Sequence, residues 1–301
     1  MPEVTLPDAS TIEVEVRGTG PTVLLPVDPR PTEGAAADEM RRWGMDPTLG
    51  RTLVDGLADT FRVVAFDYEG HLKTDPKPDT LTPDAIVEDL LTVADAVGAE
   101  RFAYYGYSWL ALSGLQLALR TDRLSALVMG GFPPIDGPYA EMLAVTTATH
   151  AMSPPAPTSP PADLSAAPPA DTAQDPTGSQ AWTDPADFDW SSAEVTLPEP
   201  QTRQFMTLYL ALRTFDDRAA QAGITCPRLC FVGSADTIPY GERWGGVTVD
   251  IAGPVDKSRA ELEALGWQVR VLDGLDHTQA MQPANVLPIL RPWLTASLSR
   301  R

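Results

Sequence analysis

Apolar residues in this chain gather in short runs, and between the runs they recur at the three-to-four-residue spacing of a helix face. The runs at 22–25, 62–66, 102–105, 124–129, 228–233 and 268–272 read as strands, most of them buried on both sides. Helical spacing or capping chemistry predicts helices over 47–57, 83–97, 110–119, 140–150, 201–222, 257–265 and 283–298. Two of these have clear start signals, Asp46-Pro47 and Thr82-Pro83, where a capping oxygen precedes a proline whose missing N–H costs nothing in the first turn. Residues 3–6 and 11–16 alternate apolar with polar around Pro-Asp-Ala-Ser, the pattern of an antiparallel hairpin. Residues 31–45, with Met40, Trp43 and Met45 among charges, read as a short helix over the upper edge of the sheet.

Strands and helices alternating in this way predict an α/β fold, a mostly parallel central sheet with helices on both faces. Ligands of such sheets bind beyond the carboxyl ends of the strands, where Asp28, Asp67 and Ser108 fall. The pattern breaks after Phe132. No Lys or Arg occurs between Arg123 and Arg203, while Pro, Ala, Ser and Asp crowd residues 152–187, a composition expected to be extended or mobile. The expected organisation is therefore a core at 1–132, a helical, Pro-rich cap insertion at 133–222, and the second part of the core at 223–301.

Composition narrows the function mainly by exclusion. With 22 Lys+Arg against 41 Asp+Glu, a net charge of −19 argues against binding a phosphate backbone. Cys226 and Cys230 lie four apart around one strand, and at about 3.3 Å per residue they are too distant to bridge, so both read as small buried apolar residues. No metal-ligand spacing is present, and no cofactor is expected. The start, Met-Pro-Glu-Val-Thr, lacks a basic and then apolar leader, and no apolar run approaches about 18 residues, so a soluble cytoplasmic protein is expected. The expected partners are a small-molecule substrate and at most a second copy of the chain, with neither nucleic acid nor membrane.

The chemistry centres on Ser108. Only Gly106, Tyr107, Ser108 and Trp109 separate a buried strand from a buried helix, so Ser108 stands at a sharp corner with its hydroxyl projecting from the sheet. The N–H groups that open the following helix, Trp109 first, face the space before that hydroxyl, where an oxyanion would develop. A serine nucleophile needs a base, and there are three histidines. His71 lies in an earlier loop and His150 in the insertion, where it is a candidate substrate contact, whereas His277 follows the last strand at the same edge as Ser108. Asp236, at the end of the preceding strand, is the favoured acid, and Asp136 is the runner-up. The order Ser108, Asp236, His277 is one of three known orders of such a triad.

These residues resemble those of the α/β-hydrolase family, within its esterase and lactonase-like group with a helical cap. Val16-Arg17-Gly18-Thr19-Gly20-Pro21 is similar to its opening, Asp67-Tyr68-Glu69-Gly70-His71 to its Asp-x-Arg-Gly-His loop, and Gly106-Tyr107-Ser108-Trp109 to its nucleophile elbow. Gly233-Ser234-Ala235-Asp236 resembles its acid turn and Asp276-His277 its histidine loop. The resemblance implies acyl transfer by Ser108, His277 and Asp236. It departs from the family at Leu110, where a glycine is usual and a slightly opened turn is expected. At Pro26-Val27, which replace His-Gly, the second oxyanion donor must be the N–H of Val27 or Asp28, with the Asp28 carboxylate a source of repulsion unless it points away or is protonated. Glu69 replaces the usual arginine. The function expected is a serine hydrolase acting on a small or medium carboxylic ester, lactone or thioester, with Trp43, Tyr107, Trp109 and Phe132 as candidate pocket residues. The alternatives are a proline-iminopeptidase-like aminopeptidase using Glu69 or Asp28 for the substrate amine, and a binding protein on the same fold that does not catalyse.

Overall fold

In the computed structural model, which describes residues 1–154 and 197–299, the buried runs become strands of one seven-stranded sheet. An outlying hairpin, β1 (Glu3–Thr5) and β2 (Thr11–Glu13), precedes β3 (Glu15–Arg17) and β4 (Thr22–Leu25). There follow α1 (Gly34–Arg42), α2 (Leu49–Leu57), β5 (Arg62–Ala65), α3 (Tyr68–Thr74), α4 (Pro83–Ala96), β6 (Phe102–Tyr107), α5 (Trp109–Ala118) and β7 (Leu124–Gly130). Beyond β7 lie α6 (Tyr139–Met152), α7 (Glu199–Leu212) and α8 (Asp217–Ala220). The chain then returns through β8 (Arg228–Gly233), a hairpin of β9 (Thr237–Pro239) and β10 (Thr248–Asp250), α9 (Ala252–Lys257), α10 (Arg259–Ala264), β11 (Trp267–Leu272), α11 (His277–Ala280) and α12 (Pro283–Leu298).

The sheet order is β11-β8-β7-β6-β4-β5-β3, parallel throughout except for the edge strand β3. After β5 the chain crosses back to place β6 on the other side of β4, so the strand order reverses between β4 and β6, and a crevice opens at their carboxyl ends. Side chains alternate across the sheet with the period of two that a strand imposes. Val23, Leu25, Val63, Ala103, Tyr105 and Val128 pack with α2 and α12, whereas Leu24, Val64, Phe102, Tyr104 and Leu127 pack with α4 and α5 on the opposite face. Both faces are covered, which is why these strands are apolar without interruption. Cys226 and Cys230 are both buried and are not joined in a disulfide. Among the described residues no helix is long and apolar enough to cross a membrane.

Local polar chemistry moves several boundaries. Asp46 does not cap α2 directly: its carboxylate accepts from the N–H and hydroxyl of Thr48 (2.8 and 2.7 Å), and the helix opens at Leu49. Thr82 does cap α4, with Pro83 in the first turn. The segment after β5 is not a plain loop, because the Asp67 carboxylate accepts the Gly70 N–H (2.8 Å) and starts α3. The helix expected over 201–222 stops at Leu212 and restarts where Asp216 accepts the Ala219 N–H. That break lets the buried Asp217 carboxylate accept the N–H groups of Asp136 and Gly137, fastening the segment that leaves β7. Residues 257–265 divide into the end of α9 and α10 around Ser258. The Pro-rich tract, beyond Pro154, lies outside the described residues.

A buried polar cluster ties five segments behind the crevice. Lys77, almost wholly buried, reaches Asp89 on α4 (2.7 Å) and Asp8 in the β1–β2 turn (2.9 Å), and Tyr68 donates to the same Asp89 oxygen (2.6 Å). Gln204 of α7, fully buried, accepts the Lys77 N–H and donates to the Leu72 carbonyl, fixing α7 to the α3–α4 connection. Deleting one partner of such a pair strands a charge away from water. Lys77→Met should lower the unfolding free energy by about 3–5 kcal/mol in chemical denaturation. Burial works to raise the Asp8 carboxyl, but hydrogen bonds from Ser10 and Lys77 outweigh it and hold its pKa at about 2. A depressed carboxyl stabilises the fold above its ordinary value and stops doing so as pH falls through the folded value. The melting-temperature difference between wild type and Asp8→Asn should therefore be present at neutral pH and vanish between 3.8 and about 2.

Candidate active site

Ser108 occupies the corner between β6 and α5 with φ 58° and ψ −130°, a backbone conformation that residues with a Cβ seldom adopt. The surroundings enforce it. The Ser108 N–H donates to the Gly130 carbonyl on β7 (2.8 Å), while its own carbonyl already accepts from Ala111 (2.9 Å). Strand and helix meet at Gly106, where a Cβ would lie 2.2 Å from the Leu110 carbonyl oxygen. Leu110 therefore does not open the corner: the contact that would exclude a side chain is made at Gly106, and the Tyr104 hydroxyl donates to the Leu110 carbonyl (2.9 Å). Trp109 opens α5, so its N–H has no partner within the helix.

His277 opens α11, behind an Asp276–Gln279 capping box. Its Nδ1 lies 2.8 Å from Oδ2 of Asp236, a carboxylate with no solvent exposure. The other Asp236 oxygen is buried with no hydrogen-bond partner among the described residues. An unmatched buried acceptor is costly, which concentrates the interactions of this carboxylate on the imidazole. The Asp236 main chain is held too, since its carbonyl accepts from Ile251 (3.1 Å) and Ala252 (3.0 Å). The alternative acid, Asp136, is engaged elsewhere, with Arg218 (2.6 Å) and Ser258 (3.4 Å). His71 is buried beside Ser10 (3.2 Å), and His150 Nε2 faces Glu199 across α6 and α7 (3.8 Å).

The loop after β4 separates the two further oxyanion candidates. The Val27 N–H donates to the Leu25 carbonyl (2.8 Å), which leaves the Asp28 N–H as the second candidate donor. The Asp28 carboxylate, a potential source of repulsion, turns to Arg30 instead, accepting from its N–H (2.9 Å) and its Nε (3.0 Å). Glu69 pairs with Lys73 (2.9 Å) and comes within 3.5 Å of the Trp109 indole nitrogen. Burial raises the Asp67 carboxyl against the Gly70 hydrogen bond, with Asp28 and Glu69 adding to the rise.

Two cavities meet at Ser108, Trp109 and His277. One, of about 350 Å³, is walled by Phe132, Met142, Phe205, Tyr209, Ile238 and Val249, among others, and among the described residues its only ionisable side chains are His277 and the two tyrosines Tyr209 and Tyr240. The other, of about 310 Å³, is lined by Val27, Asp28, Asp67, Glu69, Lys73 and Tyr107. Of the expected pocket residues, Phe132 lies in the first, Tyr107 and Glu69 in the second, and Trp43 and His150 in neither. The sequence reading missed the wall supplied by β9 and β10. Strands of three residues are too short for alternation to register, and the only signal was the Gly245-Gly246 turn between two apolar stretches. Among the described residues no group of His, Cys, Asp and Glu could hold a metal ion.

Comparison with known proteins agrees with this architecture. A family model described as the alpha/beta hydrolase fold matches residues 44–145. A thermophilic esterase from Thermogutta terrifontis superposes with a TM-score of 0.59 at 18% identity, covering 98% of each chain. An enol-lactonase from Burkholderia xenovorans LB400 superposes with a TM-score of 0.56 at 17% identity, over 98% of this chain and 100% of that one. At these identities the likeness is one of fold. In sequence, the chain is 33% identical over 72 residues to the Agrobacterium fabrum protein named "Putative carbamate hydrolase RutD". That match covers 24% of this chain and 28% of the relative's length.

The close contact beneath the corner has a direct test. Gly106→Ala must push α5 off β6 or distort Ser108, and should lower the unfolding free energy by about 2–3 kcal/mol, measured by denaturant titration.

Proposed function

Since the chain has the α/β-hydrolase fold, we propose that it is a serine hydrolase cleaving a small or medium carboxylic ester, lactone or thioester through an acyl-enzyme on Ser108. His277 Nε2 takes the Ser108 proton as Oγ attacks the carbonyl carbon, and Asp236, bonded to Nδ1, holds the imidazole in the required tautomer and balances the imidazolium. The carbonyl oxygen becomes an oxyanion facing the N–H groups of Trp109 and Asp28. Collapse of the tetrahedral species breaks the bond to the leaving group, which receives the proton from His277. Water, deprotonated by the same imidazole, then attacks the acyl-enzyme and releases the acid and free Ser108.

The observation that carries this reading is the wholly buried Asp236 carboxylate, bonded to the far nitrogen of an imidazole that shares both cavities with a serine of positive φ. The helices between β7 and β8, with the β9–β10 hairpin, form the cap-side wall of the larger cavity, whose apolar lining suits an uncharged hydrocarbon limb of the substrate. An aminopeptidase role is less well supported, because Glu69 is paired with Lys73 and Asp28 with Arg30, which leaves neither free to meet an ammonium group.

A fluorophosphonate probe should label the folded wild-type protein, and Ser108→Ala should abolish labelling. With p-nitrophenyl butyrate as substrate, Asp236→Asn should cut turnover by about a thousandfold or more, whereas Asp136→Asn should change it by less than about threefold. Folded wild-type protein that is neither labelled nor active on esters, lactones or thioesters would overturn the proposal in favour of a non-catalytic binding protein.

A further inference from the structure

Tyr107 immediately precedes Ser108 on β6, and its side chain runs from there to the histidine loop. Its hydroxyl donates to the main-chain carbonyl of His277 at 2.7 Å, and its ring lies 5.0 Å from the imidazole, centre to centre. The chain makes a close slot for this ring at the end of β7: a Cβ on Gly131 would lie 2.5 Å from the Tyr107 ring, and one on Gly130 2.6 Å from it. Phe231 of β8 packs on the ring at 6.0 Å. Burial drives the phenol far above its ordinary pKa, so it remains a donor at any working pH.

We infer that Tyr107 is a positioning residue that sets the distance between Ser108 and the imidazole of His277, an inference resting on the serine-hydrolase reading above. His277 is gripped at two points from different strands, at Nδ1 by Asp236 after β8 and at its carbonyl by Tyr107 on β6. The bond at Nδ1 orients the ring, while the bond at the carbonyl fixes where the main chain that carries the ring stands. The second grip refers its position to the strand that carries the serine, so nucleophile and base share a frame, and a misplacement well under 1 Å is enough to slow the chemistry.

The test is Tyr107→Phe, which keeps the ring and removes one hydrogen bond. The fluorophosphonate labelling rate and kcat on p-nitrophenyl butyrate should each fall about tenfold, with KM within about twofold of wild type. Because the chain has only three histidines, the ring ¹⁵N signals of His277 can be resolved in histidine-labelled protein, and the Nδ1 signal should shift and broaden in the variant. A folded Tyr107→Phe protein that melts lower but labels and turns over at wild-type rates, with an unmoved His277 signal, would overturn the inference while leaving the Ser108 reading in place. Wild-type protein that is itself unlabelled would refute the hydrolase reading. The histidine spectrum then still decides whether Tyr107 fixes the ring, since an unchanged signal overturns that claim without any turnover.

Discussion

The contact between Gly106 and the Leu110 carbonyl is the constraint from which the crevice follows. It brings α5 against β6 more closely than any side chain at position 106 would permit, and the chain can pass from one to the other only through a positive φ at Ser108. The parallel sheet supplies the opposing restraint, because β6 is buried along its whole length and paired on both sides, so it cannot yield to relieve the strain. An L-residue in that conformation is unfavourable by about 1–3 kcal/mol in isolation. The packing of both faces against the same sheet holds it there.

Charged groups around this corner follow a common rule: each buried or half-buried carboxylate is met by a specific donor. Asp89 has Lys77 and Tyr68, Asp217 has two backbone N–H groups, Asp67 has Gly70, and Asp28 has Arg30. Asp236 differs, since it is the most deeply buried of them, and among the described residues its side chain has one partner, the imidazole, with its second oxygen unmatched. A group so placed depends on that partner, and its partner on it.

The sheet and the strand ends were legible in the sequence because largely apolar runs of four to six residues leave few alternatives once they alternate with helices. Ser108, Asp236 and His277 were legible for the same reason, each following a run by only a few residues. Leu110 was read as loosening the corner, but the close approach lies two residues before the serine, at Gly106, a relation that exists only in three dimensions. The partnership of Asp28 with Arg30 was missed although the two are separated by a single proline, because whether a carboxylate faces inward or turns to its own neighbour depends on loop conformation. Helix boundaries shifted wherever an Asp captured a backbone N–H, as at Asp46, Asp67 and Asp216, local bonds that compete with periodicity and leave no trace in it.

The larger cavity takes much of its lining from α6, α7 and the β9–β10 hairpin, none of which contributes a strand to the main sheet. Ser108, Asp236 and His277 stand instead just past the ends of β6, β8 and β11. On the serine-hydrolase reading, recognition and reactivity therefore draw on different segments of one chain, which touch where Phe205 packs against Trp109. On that reading, Met142 or Ile238 can be exchanged to reshape the cavity without altering the strands that carry Ser108 and His277, which gives this scaffold room to acquire new selectivity by drift in its linings alone.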